Sequence, residues 1–148
     1  ITNRLGVAKN KWKIHTFSGG NGRVNDPKNT IDGDNTSYWE VSGDGKNNSQ
    51  FIAINLQEQI SLSGFSYVPP DFGSEGLIFD YEFYVSDDGI QWGEPVSSGE
   101  FSNIENNPVP QHIDFEHTLK AKYIKLVSKS SDDLNKKVVI NEIDVFID

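Results

Sequence analysis

The sequence predicts an all-β domain folded as a β-sandwich, on three observations. Fourteen Ile, 11 Val and 9 Phe stand against three Ala, and β-branched and aromatic side chains favour pleated sheet where alanine favours helix. Apolar residues alternate with polar ones in a period of two over several segments. Turn residues break these segments at short intervals, the spacing of a sandwich. The 148 residues suit one domain, 1–148.

The elements follow in order. Trp12 and Ile14 begin a strand that runs on through His15, Thr16 and Phe17. Ile52, Ile54 and Leu56 share one strand face, with Ala53 and Asn55 on the other. Pro69-Pro70 ends a strand, because two ladder donors are missing there. Phe79, Tyr81, Phe83 and Val85 alternate with Ile78, Asp80, Glu82 and Tyr84, and Asp87-Asp88-Gly89 then supplies a hairpin turn. Ile124 and Leu126 alternate with Tyr123, Lys125 and Val127. In the last segment Val139, Ile143, Val145 and Ile147 line one face, and Ile140, Glu142, Asp144 and Phe146 the other. Trp12, Trp39 and Trp92 are expected in the core, and Phe72, between Asp71 and Gly73, on a loop surface.

Charge narrows the partners. Thirteen Lys and Arg face 22 Asp and Glu, a net of −9. Such a field repels nucleic acid and anionic membrane alike, and the short run Lys9, Lys11, Lys13 does not reverse it. There is no cysteine, so thiolate catalysis, disulfides and cysteine zinc sites are excluded. No apolar run approaches the ~20 residues of a membrane-spanning helix. His15, His112 and His117 are scattered, and no hydrolase, zinc-protease or phosphate-loop motif appears. The expectation is a protein that is not an enzyme.

The densest polar segment runs from Asn29 to Trp39, with Asp32, Asp34 and Ser37 within one turn. Hard cations take six to eight oxygens from carboxylates, hydroxyls and carbonyls, which such a turn can supply. The same composition also describes a surface turn whose Asp and Asn side chains bond their own backbone. Residue chemistry alone leaves both readings open.

The order of motifs resembles one family. Ile31-Asp32-Gly33-Asp34 followed by Ser37 and Trp39, then Phe51–Leu56, Gly64-Phe65-Ser66-Tyr67-Val68-Pro69, Asp80–Ser86 with Asp88-Gly89 and Trp92-Gly93, Gly99-Glu100-Phe101, Ala121–Leu126 and Asn141–Val145 are similar to the coagulation factor V/VIII type C, or discoidin, family. They look most like its bacterial branch, carbohydrate-binding module family 32, as found at the C-terminus of chitobiase-like proteins of Bacteroidetes. The resemblance implies a jelly-roll sandwich of about eight main strands. It implies a structural Ca²⁺ held by the carbonyl of Asn29, the side chain of Asp32, the carbonyl of Asp34, Ser37 and Glu142, and so favours the cation reading of the loop.

The resemblance also implies a saccharide as partner, bound at the loops. Galactose-binding members carry a His where Glu40 stands, an Arg where Pro70 stands and an Asn where Glu75 stands, so that constellation is absent here. The candidate sugar contacts that remain are Glu40, Asn48, Asp71, Phe72 and Glu75, with Phe72 as the stacking ring. The implied function is a non-catalytic carbohydrate-binding module that brings a covalently linked glycan-degrading enzyme to its polysaccharide or glycoprotein substrate. The alternative is a docking or adhesion module of a secreted bacterial protein that binds no sugar. The chain opens on Ile1 and holds no Met, so a fragment of a larger bacterial protein is expected. Its expected setting is extracellular, periplasmic or on the cell surface, and its expected state is a monomer.

Overall fold

A computed structural model describes residues 5–19, 23–42, 49–71, 76–101, 104, 108–131 and 137–147. Among the described residues there are ten strands: β1 (Leu5–Gly6), β2 (Lys13–Phe17), β3 (Arg23–Val24), β4 (Trp39–Val41), β5 (Gln50–Val68), β6 (Ile78–Ser86), β7 (Ser97–Glu100), β8 (Gln111–Ser131), β9 (Val138–Ile140) and β10 (Glu142–Ile147). Among the described residues the helical content is one 3₁₀ segment, Pro27–Ile31. Asp26 caps it by accepting a hydrogen bond from the Lys28 N–H at 2.9 Å, and Pro27 opens it, where a missing N–H costs nothing. The all-β expectation holds, and the eight main strands are joined by two-residue β1 and β3.

The long strands β5 and β8 set the architecture. They pair antiparallel in two stretches, Gln50–Asn55 with Tyr123–Ser128 and Ile60–Tyr67 with Gln111–Ala121, and the register shifts between Asn55 and Ile60. Gln57 sits in that interruption with φ of 72°. Each half of β5 then takes its own neighbour: β2 lies against Ile52–Asn55, and β10 against Gly64–Val68. β6 and β7 extend the sheet from the β8 side, and β3, β4 and β9 form a second, three-stranded sheet.

Period-two alternation accounts for the core. Ile52, Ile54 and Leu56 of β5 are each at most 1% exposed, as are Phe65 and Tyr67 from its second half. Phe65 stacks on Phe83 of β6 with ring centroids 4.0 Å apart, although β5 and β6 are not hydrogen-bonded neighbours. The second half of β5 therefore faces β6 across the interior, closing the sandwich. Tyr81, Phe101 and Phe115 complete the aromatic cluster around that pair. Ser86 and Asp88 organise the turn expected after β6. The Asp88 carboxylate accepts from the N–H groups of Gln91 and Ile90, both at 2.9 Å, and these bonds hold its pKa below the usual carboxylate range.

Two expectations are corrected. The final segment is not one strand with two faces, because it breaks at Asn141, whose N–H bonds Val68 O at 2.9 Å. Val138, Val139 and Ile140 belong to the small sheet and are all buried, while Glu142 begins β10 in the large one. Ala53, on the strand face opposite Ile52 and Ile54, is fully buried too. Trp12 and Trp39 are core residues as expected, but Trp92 is only half-buried. Its ring lies 4.6 Å from the Lys125 ammonium, which also sits 4.7 Å from the Tyr84 ring. The ammonium thus makes cation–π contacts with both rings.

Gly64 marks the tightest backbone approach in the long pair. A β-carbon there would collide with the carbonyl oxygen of Ile113 on β8. That neighbour is backbone and cannot swing aside, so Gly64→Ala is expected to cost about 1–3 kcal/mol. Urea unfolding would read it as a lowered midpoint at unchanged slope.

Candidate functional site

The site grows from the loop between the 3₁₀ segment and β4. Asp32 accepts from the Asp34 N–H at 2.9 Å and from the Ser37 hydroxyl. That hydroxyl oxygen also lies 3.0 Å from the carbonyl oxygen of Asp34. Asp34 in turn accepts from the Thr36 hydroxyl at 2.6 Å and the Thr36 N–H at 2.9 Å, and its pKa is lowered by these bonds. Gly33 occupies φ +80°, a conformation that disfavours side chains. Asn29 closes the loop by donating to Tyr38 O at 2.9 Å.

Glu142 reaches this loop from the first position of β10. It is 1% exposed, and its Oε2 accepts the Gly33 N–H at 3.0 Å. Lys9 pairs with the same oxygen and lies 2.6 Å from Asp144. Oε1 is buried with no hydrogen-bond partner. Burial pushes the Glu142 carboxyl up to about 7, although Lys9 and the Gly33 N–H pull the other way. The structure therefore brings the Asp32, Asp34 and Ser37 oxygens into one loop and joins Glu142 to it through Gly33. Among the described residues no three Asp, Glu or His side chains form a metal-binding group. Any cation here would depend on hydroxyl and carbonyl oxygens as well.

Beside the loop lies a cleft of about 400 Å³, lined by Thr36, Tyr38, Glu40, Pro70, Asp71, Lys137, Val139 and Asn141. Three segments meet there: the start of β4, the end of β5 and the β9–β10 junction. Strand alternation explains the lining. Trp39 is fully buried, so its neighbours Tyr38 and Glu40 point away from the core, and Tyr38 is 36% exposed. Asn141 is 6% exposed and its amide nitrogen donates to Asn35 O at 2.8 Å, which ties the cleft to the Asp-rich loop. Its Oδ1 is buried without a partner.

Two of the sugar-contact candidates, Glu40 and Asp71, are brought together in this cleft. The other three, Asn48, Phe72 and Glu75, lie outside the described residues. Sequence reasoning missed Tyr38, Lys137, Thr36 and Asn141. The signal for Tyr38 was available: once Trp39 is placed inside, alternation points the ring just before the strand outward.

Comparison with known proteins places these features in a family. The sequence profile described as F5/8 type C domain matches residues 11–143. A galactose oxidase of Gibberella zeae is 29% identical over 153 aligned positions, covering 95% of this chain and 20% of that protein; the chain thus spans about a fifth of that relative. Among solved structures, a Clostridium perfringens family 32 carbohydrate-binding module in complex with GalNAc-β-1,3-galactose is 22% identical, with a TM-score of 0.79 over 97% of this chain and 100% of that one. The C-terminal domain of a Bacteroides fragilis chitobiase is 24% identical, with a TM-score of 0.76 over 97% and 100% of the two chains. These structures share the sandwich, and the matched profile spans both the Asp-rich loop and Glu142: the chain belongs to the F5/8 type C domain family.

Proposed function

We propose that this domain is a non-catalytic carbohydrate-binding module that holds an attached glycan-degrading enzyme close to its polysaccharide or glycoprotein substrate. The observation that carries this reading is the cleft, where a half-exposed tyrosine ring, Pro70 and Val139 sit among two carboxylates, a hydroxyl, an amide and an ammonium. A pyranose presents the matching surface, with apolar C–H faces and a rim of hydroxyls. The structural neighbour solved in complex with GalNAc-β-1,3-galactose supports the reading. One such site binds weakly, since shallow wet sites gain little net free energy. Its effect on a linked enzyme comes through raised local substrate concentration. Glycan substrates of this kind place the protein outside the cytoplasm of a bacterium, in the periplasm, on the surface or beyond.

The same reading includes a structural Ca²⁺ held by Asp32, Ser37, Glu142 and the carbonyls of Asn29 and Asp34. The buried, unpartnered Oε1 of Glu142 supports it: a carboxylate oxygen without a donor is expensive unless a cation meets it. Bound there, the ion would cross-link the loop to β10 and stiffen one wall of the cleft.

A glycan array read with wild type and Tyr38→Ala tests the proposal. Wild type is expected to retain a defined set of glycans. Tyr38→Ala is expected to weaken each by about 1–2 kcal/mol, roughly tenfold, with little change in Tm. Retention of the same glycans at full strength by the variant would remove the cleft from the proposal.

A further inference from the structure

The described lining of the cleft is richer in acceptors and negative charge than in donors and positive charge, and this points to the chemistry of what fills it. Glu40 and Asp71 are acceptor-only carboxylates. The Thr36 hydroxyl already spends its proton on Asp34, which leaves lone pairs toward a ligand. One N–H of the Asn141 amide is given to Asn35 O, and its Oδ1, in a residue more than nine-tenths buried, has no donor. Against these acceptors the donors of the described lining side chains are the Tyr38 hydroxyl, the second Asn141 N–H and the Lys137 ammonium, which already has a partner of its own. Among the described lining residues two carry negative charge and one positive, within a chain of net charge −9.

A ligand that completes this set must bring donors and, if charged, positive charge. A sugar hydroxyl supplies one donor. A protonated amine supplies three donors and the complementary charge. A uronic acid, sialic acid or sulfated sugar keeps its hydroxyl donors but adds acceptors and like charge, and the field of the chain adds to that repulsion. N-acetylation removes the charge and leaves a single N–H in place of three.

We propose that the saccharide bound here carries a free amino group: the cleft recognises the unacetylated amino-sugar end of a glycan and excludes acidic sugars. This inference rests on the carbohydrate-binding reading above and adds the ligand class to it. The ammonium is placed against Glu40 and Asp71, the ring face against Tyr38, and a hydroxyl or amine N–H on Asn141 Oδ1.

Calorimetric titration of the 148-residue chain with three matched disaccharides tests it: di-glucosamine, its fully N-acetylated form, and a uronic-acid disaccharide, with galactose and N-acetylgalactosamine as neutral references. The work is done at about pH 6, where the sugar amine is protonated. The free-amine sugar is expected to bind about tenfold or more tighter than the N-acetylated one, and the uronic acid not at all. Glu40→Gln and Asp71→Asn are each expected to erase most of that preference, with Tm unchanged because Asp71 is exposed and Glu40 half-exposed. Raising salt is expected to narrow the preference in wild type and leave the variants unaffected. Equal or tighter binding of the N-acetylated or acidic sugar would overturn the amino-sugar assignment while leaving the carbohydrate reading in place. A preference that survives both substitutions would also overturn it. Absence of binding to every member of the panel would overturn the assignment and the carbohydrate reading together.

Discussion

Phe65→Ala is expected to lower the unfolding free energy by about 3–5 kcal/mol, the range for a truncated core aromatic. Phe65 is fully buried and stacks on Phe83 at an interplanar angle of 8°. Its edge contacts with Tyr81 and Phe101 and its tilted contact with Phe115 make it the ring that joins these members of the cluster. It lies on the second half of β5 and meets β6 across the interior, so its removal opens a cavity between layers where neighbouring strands hold fixed positions. The corresponding fall in Tm is roughly 10–15 °C. Phe65→Leu, which keeps most of the volume, is expected to lose less than half as much. A loss under about 1 kcal/mol for the alanine variant would mean that the layers collapse onto the gap.

Glu142→Gln is expected to abolish the response of the domain to calcium. Wild type at about 100-fold excess of Ca²⁺ over its Kd should gain about 2.7 kcal/mol, which corresponds to a Tm rise of roughly 5–10 °C that chelation reverses. The glutamine has the same size and still offers a carbonyl oxygen to the Gly33 N–H, so the loop stays closed. It lacks the charge that a divalent ion requires at the buried oxygen. Asp32→Ala should give the same loss of response. Identical calcium shifts in wild type and Glu142→Gln would remove Glu142 from the ligand set. A wild type that melts at the same temperature with calcium and with chelator would remove the ion itself.

The parts of the fold legible in the sequence were those governed by local periodicity. Ile52, Ile54 and Leu56 declared their face by alternation, and Asp88-Gly89 declared its turn by conformational preference. What stayed hidden depends on residues far apart in the chain. Lys9 reads locally as one of three alternating lysines on a solvated segment, yet it alone is drawn in to pair with Glu142 and Asp144. Glu142 reads as the polar side of a terminal strand, yet the break at Asn141 moves it between sheets and buries it. Trp92 reads as core because large rings usually bury, but Lys125 offers it a cation on the outside of the sheet. The candidate site divides the same way. Its Asp-rich loop is contiguous and could be read from the motif order. The cleft is assembled from segments about 100 residues apart, Thr36 to Asn141, and only Glu40 and Asp71 of its lining were anticipated.

The pairing of β1 with β10 sets Leu5 beside Ile147. Asn141, at the cleft, precedes the whole of β10, so the cleft and this pair of ends lie about 20 Å apart along that strand. A pull applied between residues 5 and 147 would separate a two-residue ladder bond by bond, the weak unzipping geometry rather than shear. Tension reaching the domain would therefore peel a short edge before it disturbed the cleft, and a bound glycan would feel the strain late.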